Sequence, residues 1–267
     1  MIRQARKVTI TVRLLRARRL WDETVSAIIK RNASQAQAAA RVTRRRDVMS
    51  TDPFKFGRAY DLHELVADGI IHGIGVVFAL VGATALIFYA TVYSDYANIA
   101  ASWIYGLGLI IALGVSFTYN MWPHSRVKWI LRRFDHSAIF ILIASTYTPF
   151  LVQGADRPLI LALLIGIWIT AFTGIWLKFR FPGRYDRLAI LLYLAMGWSG
   201  AFAMGPLSEI IPGVTLTLII VGGCIYSAGV VFHVWERLRF QNAIWHAFVV
   251  TAAIVHYSAV FTAISLG

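Results

Sequence analysis

The chain contains little charge and almost no cysteine. Only 15% of its 267 residues are charged, and Cys224 is its single cysteine. A soluble domain is about one quarter charged, so this shortage, together with 58% hydrophobic residues and a mean hydropathy of +0.64, indicates a protein embedded in lipid. One cysteine excludes an intramolecular disulfide framework.

Lysine is missing from the apolar stretches. The five lysines are Lys7, Lys30, Lys55, Lys128 and Lys178, which the sequence places in the N-terminal tail and in loops. A retinal protein requires a lysine within the membrane to form its Schiff base. The sequence therefore excludes this class of seven-helix protein.

Seven apolar stretches are long enough to cross a bilayer, which requires about 20 residues for about 30 Å of hydrocarbon. They are residues 66–90, 97–119, 136–153, 158–177, 188–204, 212–233 and 243–264. These stretches predict an all-α integral membrane protein, a seven-transmembrane helix bundle. Pro149 is expected to kink the third span, because proline removes a backbone donor.

The loops predict the orientation of the bundle. With the N-terminus in the cytoplasm, 25 of the 26 basic residues lie inside and only Arg157 lies outside. Cytoplasmic loops of membrane proteins carry an excess of lysine and arginine. We therefore expect a cytoplasmic N-terminus and a C-terminus on the opposite side.

The high net charge belongs to the N-terminal tail. Residues 1–58 hold 15 of the 26 basic residues and 4 of the 13 acidic ones. We divide the chain into a basic extension, residues 1–48, and a seven-helix membrane domain, residues 49–267. The tail is expected to meet anionic lipid headgroups rather than nucleic acid. Four interpretations of residues 1–48 stay open: a disordered extension, a helix on the membrane surface, an extension upstream of a natural start at Met49, and an organelle transit segment.

Polar residues lie near the predicted cytoplasmic ends of three spans. Ser116 and Asn120 end the second span, Asp135 opens the third, and Asn242 and His246 open the seventh. Since even spans end inside and odd spans start inside, these five residues share one layer. Polar residues at membrane depth are rare and usually functional. Glu64 and Asp68 are interpreted as caps of the first span, and His72 as a partner in a buried hydrogen bond between helices.

Several segments resemble one known family. They are residues 135–150 (DHSAIFILIASTYTPF), residues 192–198 (LYLAMGW), residues 243–250 (AIWHAFVV), and the opening Glu64-x-x-x-Asp68-x-x-x-His72-Gly73. These motifs are similar to the bacterial hemolysin III family, which belongs to the progestin and adipoQ receptor group. The resemblance runs from about residue 60 to residue 264.

The resemblance implies a zinc site at the cytoplasmic ends of the second, third and seventh spans. In that group three histidines hold zinc, while a serine and an aspartate stand beside them. Ser116, Asp135 and His246 occupy matching positions, with Ser116 and Asp135 as the catalytic candidates. Asn120 and Asn242 stand where the other two histidines are expected.

This departure predicts that the family's zinc site is incomplete. A catalytic zinc usually has three protein ligands, and His246 is the only family histidine that remains. We expect no cofactor, and a metal-free hydrogen-bonded network of asparagines with Ser116, Asp135 and His246. The alternative is a substitute ligand, His124 or His136.

Three functions follow from the resemblance. The family name implies cytolytic or pore-forming activity. A lipid-binding sensor or membrane-homeostasis protein suits a degenerate metal site. A zinc-dependent hydrolase of a lipid amide or ester is the alternative. A multi-pass protein of the bacterial inner membrane is the expected location.

Overall fold

The computed structural model describes residue 34 and residues 60–266. The boundary at residues 48 and 49 and the predicted surface helix of the tail lie outside these described residues. The helices are α1 (Leu62–Tyr93), α2 (Tyr96–Met121), α3 (Arg126–Val152), α4 (Pro158–Arg180), α5 (Asp186–Trp198), α6 (Met204–Ser208), α7 (Gly213–Val234) and α8 (Gln241–Leu266). A short 3₁₀ helix, Ser199–Ala203, joins α5 to α6, so Asp186–Ser208 forms one span. Seven helical segments of this part of the chain are long and apolar enough to cross a membrane, which confirms the predicted bundle.

The first three helices start at side chains that cap them. Asp61 accepts a hydrogen bond from the Glu64 backbone N–H, and the Glu64 carboxylate accepts one from the Asp61 N–H, forming a capping box. The Glu64 N–H lowers the pKa of the Asp61 carboxyl below its usual value. Asp95 and Ser125 cap α2 and α3 through the backbone N–H groups of Asn98 and Lys128.

The third span begins ten residues earlier than its apolar stretch. The sequence placed Arg126, Lys128, Arg132 and Arg133 in a loop, whereas the structure places them in the first turns of α3. Ser125 caps the start of this helix, and basic side chains in its first turns bond to neighbouring helices. Lys128 Nζ donates to the carbonyl oxygens of Asn120 (3.1 Å) and Trp122 (2.8 Å) and so satisfies the C-terminus of α2. Lys178, also assigned to a loop, lies in the last turn of α4.

The fifth span is not one continuous helix. The α-helix stops at Trp198, which leaves backbone groups without their usual helical partners. The Tyr147 hydroxyl of α3 donates to the Gly197 carbonyl (2.6 Å) and accepts from the Gly200 N–H (3.0 Å). A break in an α-helix within a membrane span requires such partners, because lipid offers none.

Helix α1 is polar inside and apolar outside. Glu64, Asp68 and His72 are buried, and the small residues that follow on the same face pack against neighbouring helices. Large apolar residues such as Ile70, Ile74, Val77 and Val81 are exposed. An exposed apolar surface that would be costly in water is stable in lipid.

The two ends of the membrane domain are joined by hydrogen bonds. Glu64 accepts from the backbone N–H of Phe240 (2.9 Å), the residue with positive φ (57°) that precedes α8. Helix α1 therefore packs beside α8, while α3 packs against α2, α4, α5 and α8. This arrangement brings the second turn of α1 to the first turns of α8.

Candidate functional site

Three of the five residues that the sequence placed in one layer, Ser116, Asn120 and Asn242, are joined directly by hydrogen bonds, and His246 joins them through Asp68. Asn242 Nδ2 donates to Asn120 Oδ1 (3.0 Å), so α2 and α8 meet at these two residues. Asn120 Nδ2 also lies 3.4 Å from Ser116 Oγ. Asp68 and His72 of α1 complete this group, and we call Asp68, His72, Ser116, Asn120, Asn242 and His246 the polar cluster.

Asp68 is the centre of the polar cluster. One carboxylate oxygen, Oδ2, accepts from Asn242 Nδ2 (2.8 Å). The other, Oδ1, lies 2.7 Å from His246 Nδ1 and 3.4 Å from His72 Nδ1. The carboxylate is 2% exposed, and burying a charge at such a site requires several donors. The interpretation of Asp68 as a helix cap is wrong, because its oxygens bind side chains of α8 rather than N–H groups at the start of α1.

His72 links the first and second spans. Its Nδ1 lies 2.9 Å from the Asp68 backbone oxygen, and its Nε2 lies 3.3 Å from Ser116 Oγ. The predicted buried hydrogen bond between helices is therefore confirmed. The His72 ring also contacts the His246 ring, with centroids 4.0 Å apart. Sequence reasoning did not place His72 with His246, and the signal was the i, i+4 pair of Asp68 and His72 on one face of a lipid-spanning helix.

Asp135, His124 and His136 lie outside the polar cluster. Asp135 is half-buried and lines a cavity together with Ser116 and His246, and its catalytic role stays a prediction. His124 is exposed in the turn between α2 and α3. His136 Nδ1 lies 3.6 Å from Asp186 Oδ1. The geometry therefore points to His72, rather than to His124 or His136, as the histidine nearest His246.

The cavity beside the polar cluster has a volume of about 260 Å³. Its walls come from α2, α3, α5, α6, α7, α8 and the 3₁₀ helix of the fifth span. Most of the lining is apolar, with Leu113, Leu142, Phe150 and Ile219 among its residues, and Ser116, Asp135 and His246 form part of its polar lining. Ligand sites for amphiphilic molecules combine a mainly apolar wall with a few convergent polar groups.

The three positions that the resemblance assigns to zinc do not suit that ion. They carry two carboxamides and one imidazole, and the carboxamide nitrogens of Asn120 and Asn242 already donate within the cluster. A carboxamide is a weak zinc ligand beside imidazole. A different set of side chains is better suited to a metal ion. Asp68, His72 and His246 each offer one ligand atom, and these three atoms lie within 4.8 Å of one another. Two imidazoles and a carboxylate are a common set for transition metals.

Comparison with known proteins agrees with the motifs. Residues 60–257 match the family described as "Haemolysin-III related". The chain is 36% identical to "Hemolysin-3 homolog" of Bacillus subtilis (strain 168), over 71% of this chain and 89% of that protein. It is 36% identical to "Hemolysin-3" of Bacillus cereus, over 74% of this chain and 90% of that protein. It is 32% identical to "Monocyte to macrophage differentiation factor" of Homo sapiens, over 74% of this chain and 84% of that protein.

Proposed function

We propose a lipid-binding function for this chain, which belongs to the hemolysin III family within the progestin and adipoQ receptor group. In this proposal it binds a single-chain amphiphilic lipid and acts as a sensor or membrane-homeostasis protein. The observation that carries the proposal is the apolar cavity of about 260 Å³ whose polar lining includes Ser116, Asp135 and His246. An acyl chain would lie against the apolar walls, and a polar headgroup would meet these three side chains.

The composition of the walls favours binding over conduction. A pore requires a continuous polar path, whereas this cavity is lined mainly by aliphatic and aromatic side chains. The change from α-helix to 3₁₀ helix in the fifth span lies at the wall of the same cavity, because Gly197, Gly200 and Ala201 are among its lining residues. The lytic activity in the names of the Bacillus relatives is a property of those proteins.

A cavity-filling substitution tests the proposal. Ile219→Trp places an indole in the cavity from α7, and Val221→Trp places one on the exposed face of the same helix. We expect Ile219→Trp to weaken binding of the fluorescent fatty acid cis-parinaric acid at least about tenfold, a loss of about 1.4 kcal/mol. Val221→Trp should bind like the wild type. Equal binding by both variants, or no saturable binding by the wild type, would contradict the proposal.

A lipid amidase or esterase is the second candidate, and the group Asp68, His72 and His246 favours it. A bound metal ion would polarise a substrate carbonyl. This chain's residues would hold the substrate: Ser116 can donate to the carbonyl oxygen, and Asp135 can accept a proton from water at the cavity wall. Asn120→His together with Asn242→His restores the resembled ligands, and a gain of lipid amide or ester hydrolysis over the wild type would support a catalytic scaffold.

For location, we propose the bacterial inner (cytoplasmic) membrane, with the N-terminus in the cytoplasm and the basic tail against anionic headgroups. The distribution of arginine and lysine in the sequence supports this orientation. The two Bacillus relatives support a bacterial membrane. Nucleic acid is not among the proposed partners.

A further inference from the structure

The first and last spans supply three metal-ligating side chains, of which the resemblance assigns only His246 to a metal. Asp68 and His72 stand one turn apart on α1, and His246 lies in the second turn of α8. All three are buried, at 2%, 4% and 7% exposure. Their ligand atoms lie within 4.8 Å of one another. Imidazole and carboxylate groups so close together and so well shielded from water are suited to sharing one cation.

Hydrogen bonds orient both imidazoles as metal ligands. His72 Nδ1 lies 2.9 Å from a backbone carbonyl oxygen, which only accepts, so Nδ1 carries the proton and Nε2 carries the lone pair. His246 Nδ1 lies 2.7 Å from Asp68 Oδ1, so these two atoms face one another, and a cation bound by both would take the place of their hydrogen bond. Metal-binding histidines typically donate their other ring N–H to a carbonyl or a carboxylate, as His72 does.

The two asparagines hold this set in place. Asn242 Nδ2 donates to Asp68 Oδ2, which fixes the carboxylate and leaves Oδ1 toward the histidines. Asn120 accepts from Asn242 and lies against Ser116 and His72. The residues that replace the expected histidines are thus supporting groups around a different donor set, and their carboxamides would act as an outer shell.

We propose that this chain binds one divalent transition-metal ion through Asp68, His72 and His246, so that Asp68 and His72 of α1 replace the ligands lost at Asn120 of α2 and Asn242 of α8. Two imidazoles exclude calcium and magnesium as preferred ions, because those ions take oxygen ligands. Zinc is the natural probe, since two histidines and one carboxylate are a known zinc set. Ser116 and His246 both line the cavity, so the ion would be reached from there.

Metal content measures this site without any assay of activity. The full chain, purified in detergent and rinsed with a chelator, is expected to take up about one zinc per chain. His72→Ala removes one ligand and should weaken zinc binding at least about tenfold, the lower limit found when even an outer-shell partner is lost. His256→Ala is the matched control, because His256 is another histidine of α8 and bonds to the Ala252 carbonyl.

A second measurement covers the case in which His72→Ala fails to fold. Cobalt(II) bound to the wild-type chain should show visible absorption typical of nitrogen and oxygen ligands, and His256→Ala, which leaves all three ligands and their hydrogen-bond partners, should retain the spectrum. Zinc uptake that is equal in His72→Ala and His256→Ala overturns the proposal. Loss of zinc only with His124→Ala or His136→Ala also overturns it, as does a wild-type chain without stoichiometric zinc. Binding of cis-parinaric acid by the chelated protein reports separately on the lipid site.

Discussion

The Asp68 carboxylate holds three helices at one point. It accepts from Asn242 of α8, contacts His246 of α8, and contacts His72 on its own helix, while His72 reaches Ser116 of α2. A buried carboxylate in lipid is stable only with donors around it, so each partner offsets part of the free-energy cost of burying it. The cluster is therefore both the candidate site and a structural link between the ends of the chain.

Removal of the Asn242 carboxamide should reveal this link. Asn242→Ala leaves Asp68 Oδ2 without its donor, and we expect a loss of about 1–3 kcal/mol in unfolding free energy, the usual cost of an unsatisfied buried group. Thermal unfolding in detergent measures the effect. Thr251→Ala, at an exposed position of α8, should change it little. An equally stable Asn242→Ala variant would show that the Asn242 bond to Asp68 is dispensable.

The sequence predicted the depth of most of the cluster but not its partners. Topology placed Ser116, Asn120, Asp135, Asn242 and His246 in one layer. The structure joins the first two to each other and the second to Asn242, links His246 to them through Asp68, and leaves Asp135 outside the cluster. Asp68 and His72 were left out because a single sequence shows which residues share a face of α1 but not which helix covers that face. The capping box formed by Asp61 and Glu64 caps the start of α1, so Asp68 is not needed as a cap and can bond to side chains of α8.

At the scale of helices, apolar length predicted the spans and polar contacts set their ends. The third span begins at Arg126 because the Ser125 hydroxyl caps it, although basic residues follow. The fifth span breaks at Trp198 because Tyr147 of α3 binds the freed backbone. Hydropathy reports burial in lipid and carries no information about either contact. Such boundaries depend on side chains from neighbouring helices.

Close helix contacts give a prediction for α2. At Gly108 an added Cβ atom would clash with Ser145 Oγ and would lie 2.6 Å from Ser145 Cβ, so α2 and α3 would have to separate. At Gly114 of the same helix nothing lies within 4 Å of such an atom. We expect Gly108→Ala to cost about 1–3 kcal/mol in unfolding free energy. Gly114→Ala should be neutral or stabilising, because alanine favours a helix by about 1 kcal/mol over glycine.

Thermal unfolding of the two glycine variants in the same detergent distinguishes close packing from helix propensity. Close packing predicts a lower midpoint for Gly108→Ala alone. If both variants unfold at higher temperature than the wild type, then the contact between α2 and Ser145 is not tight.

At the scale of the whole molecule, the charge distribution predicts which surface faces the cytoplasm. In a Cys224→Ser background, Asp156→Cys lies in the loop between α3 and α4, and Arg184→Cys lies in the loop between α4 and α5. A membrane-impermeant maleimide added to intact cells should label the cysteine at 156 and spare the one at 184, because loops rich in arginine stay inside. The reverse labelling would invert the orientation, and labelling of both sites in lysed cells controls for accessibility.

Contact between α1 and α8 has a consequence for biosynthesis. The ribosome makes α1 first among the spans and α8 last, yet the buried face of α1 carries Glu64, Asp68 and His72, whose partners include Phe240 and His246. Until α8 inserts, these polar groups have only part of their hydrogen bonds, and polar groups in hydrocarbon are costly. A nascent chain that stops before residue 241 therefore exposes a recognisable defect within the bilayer. We therefore expect chains truncated before residue 241 to be degraded faster in cells than the full chain.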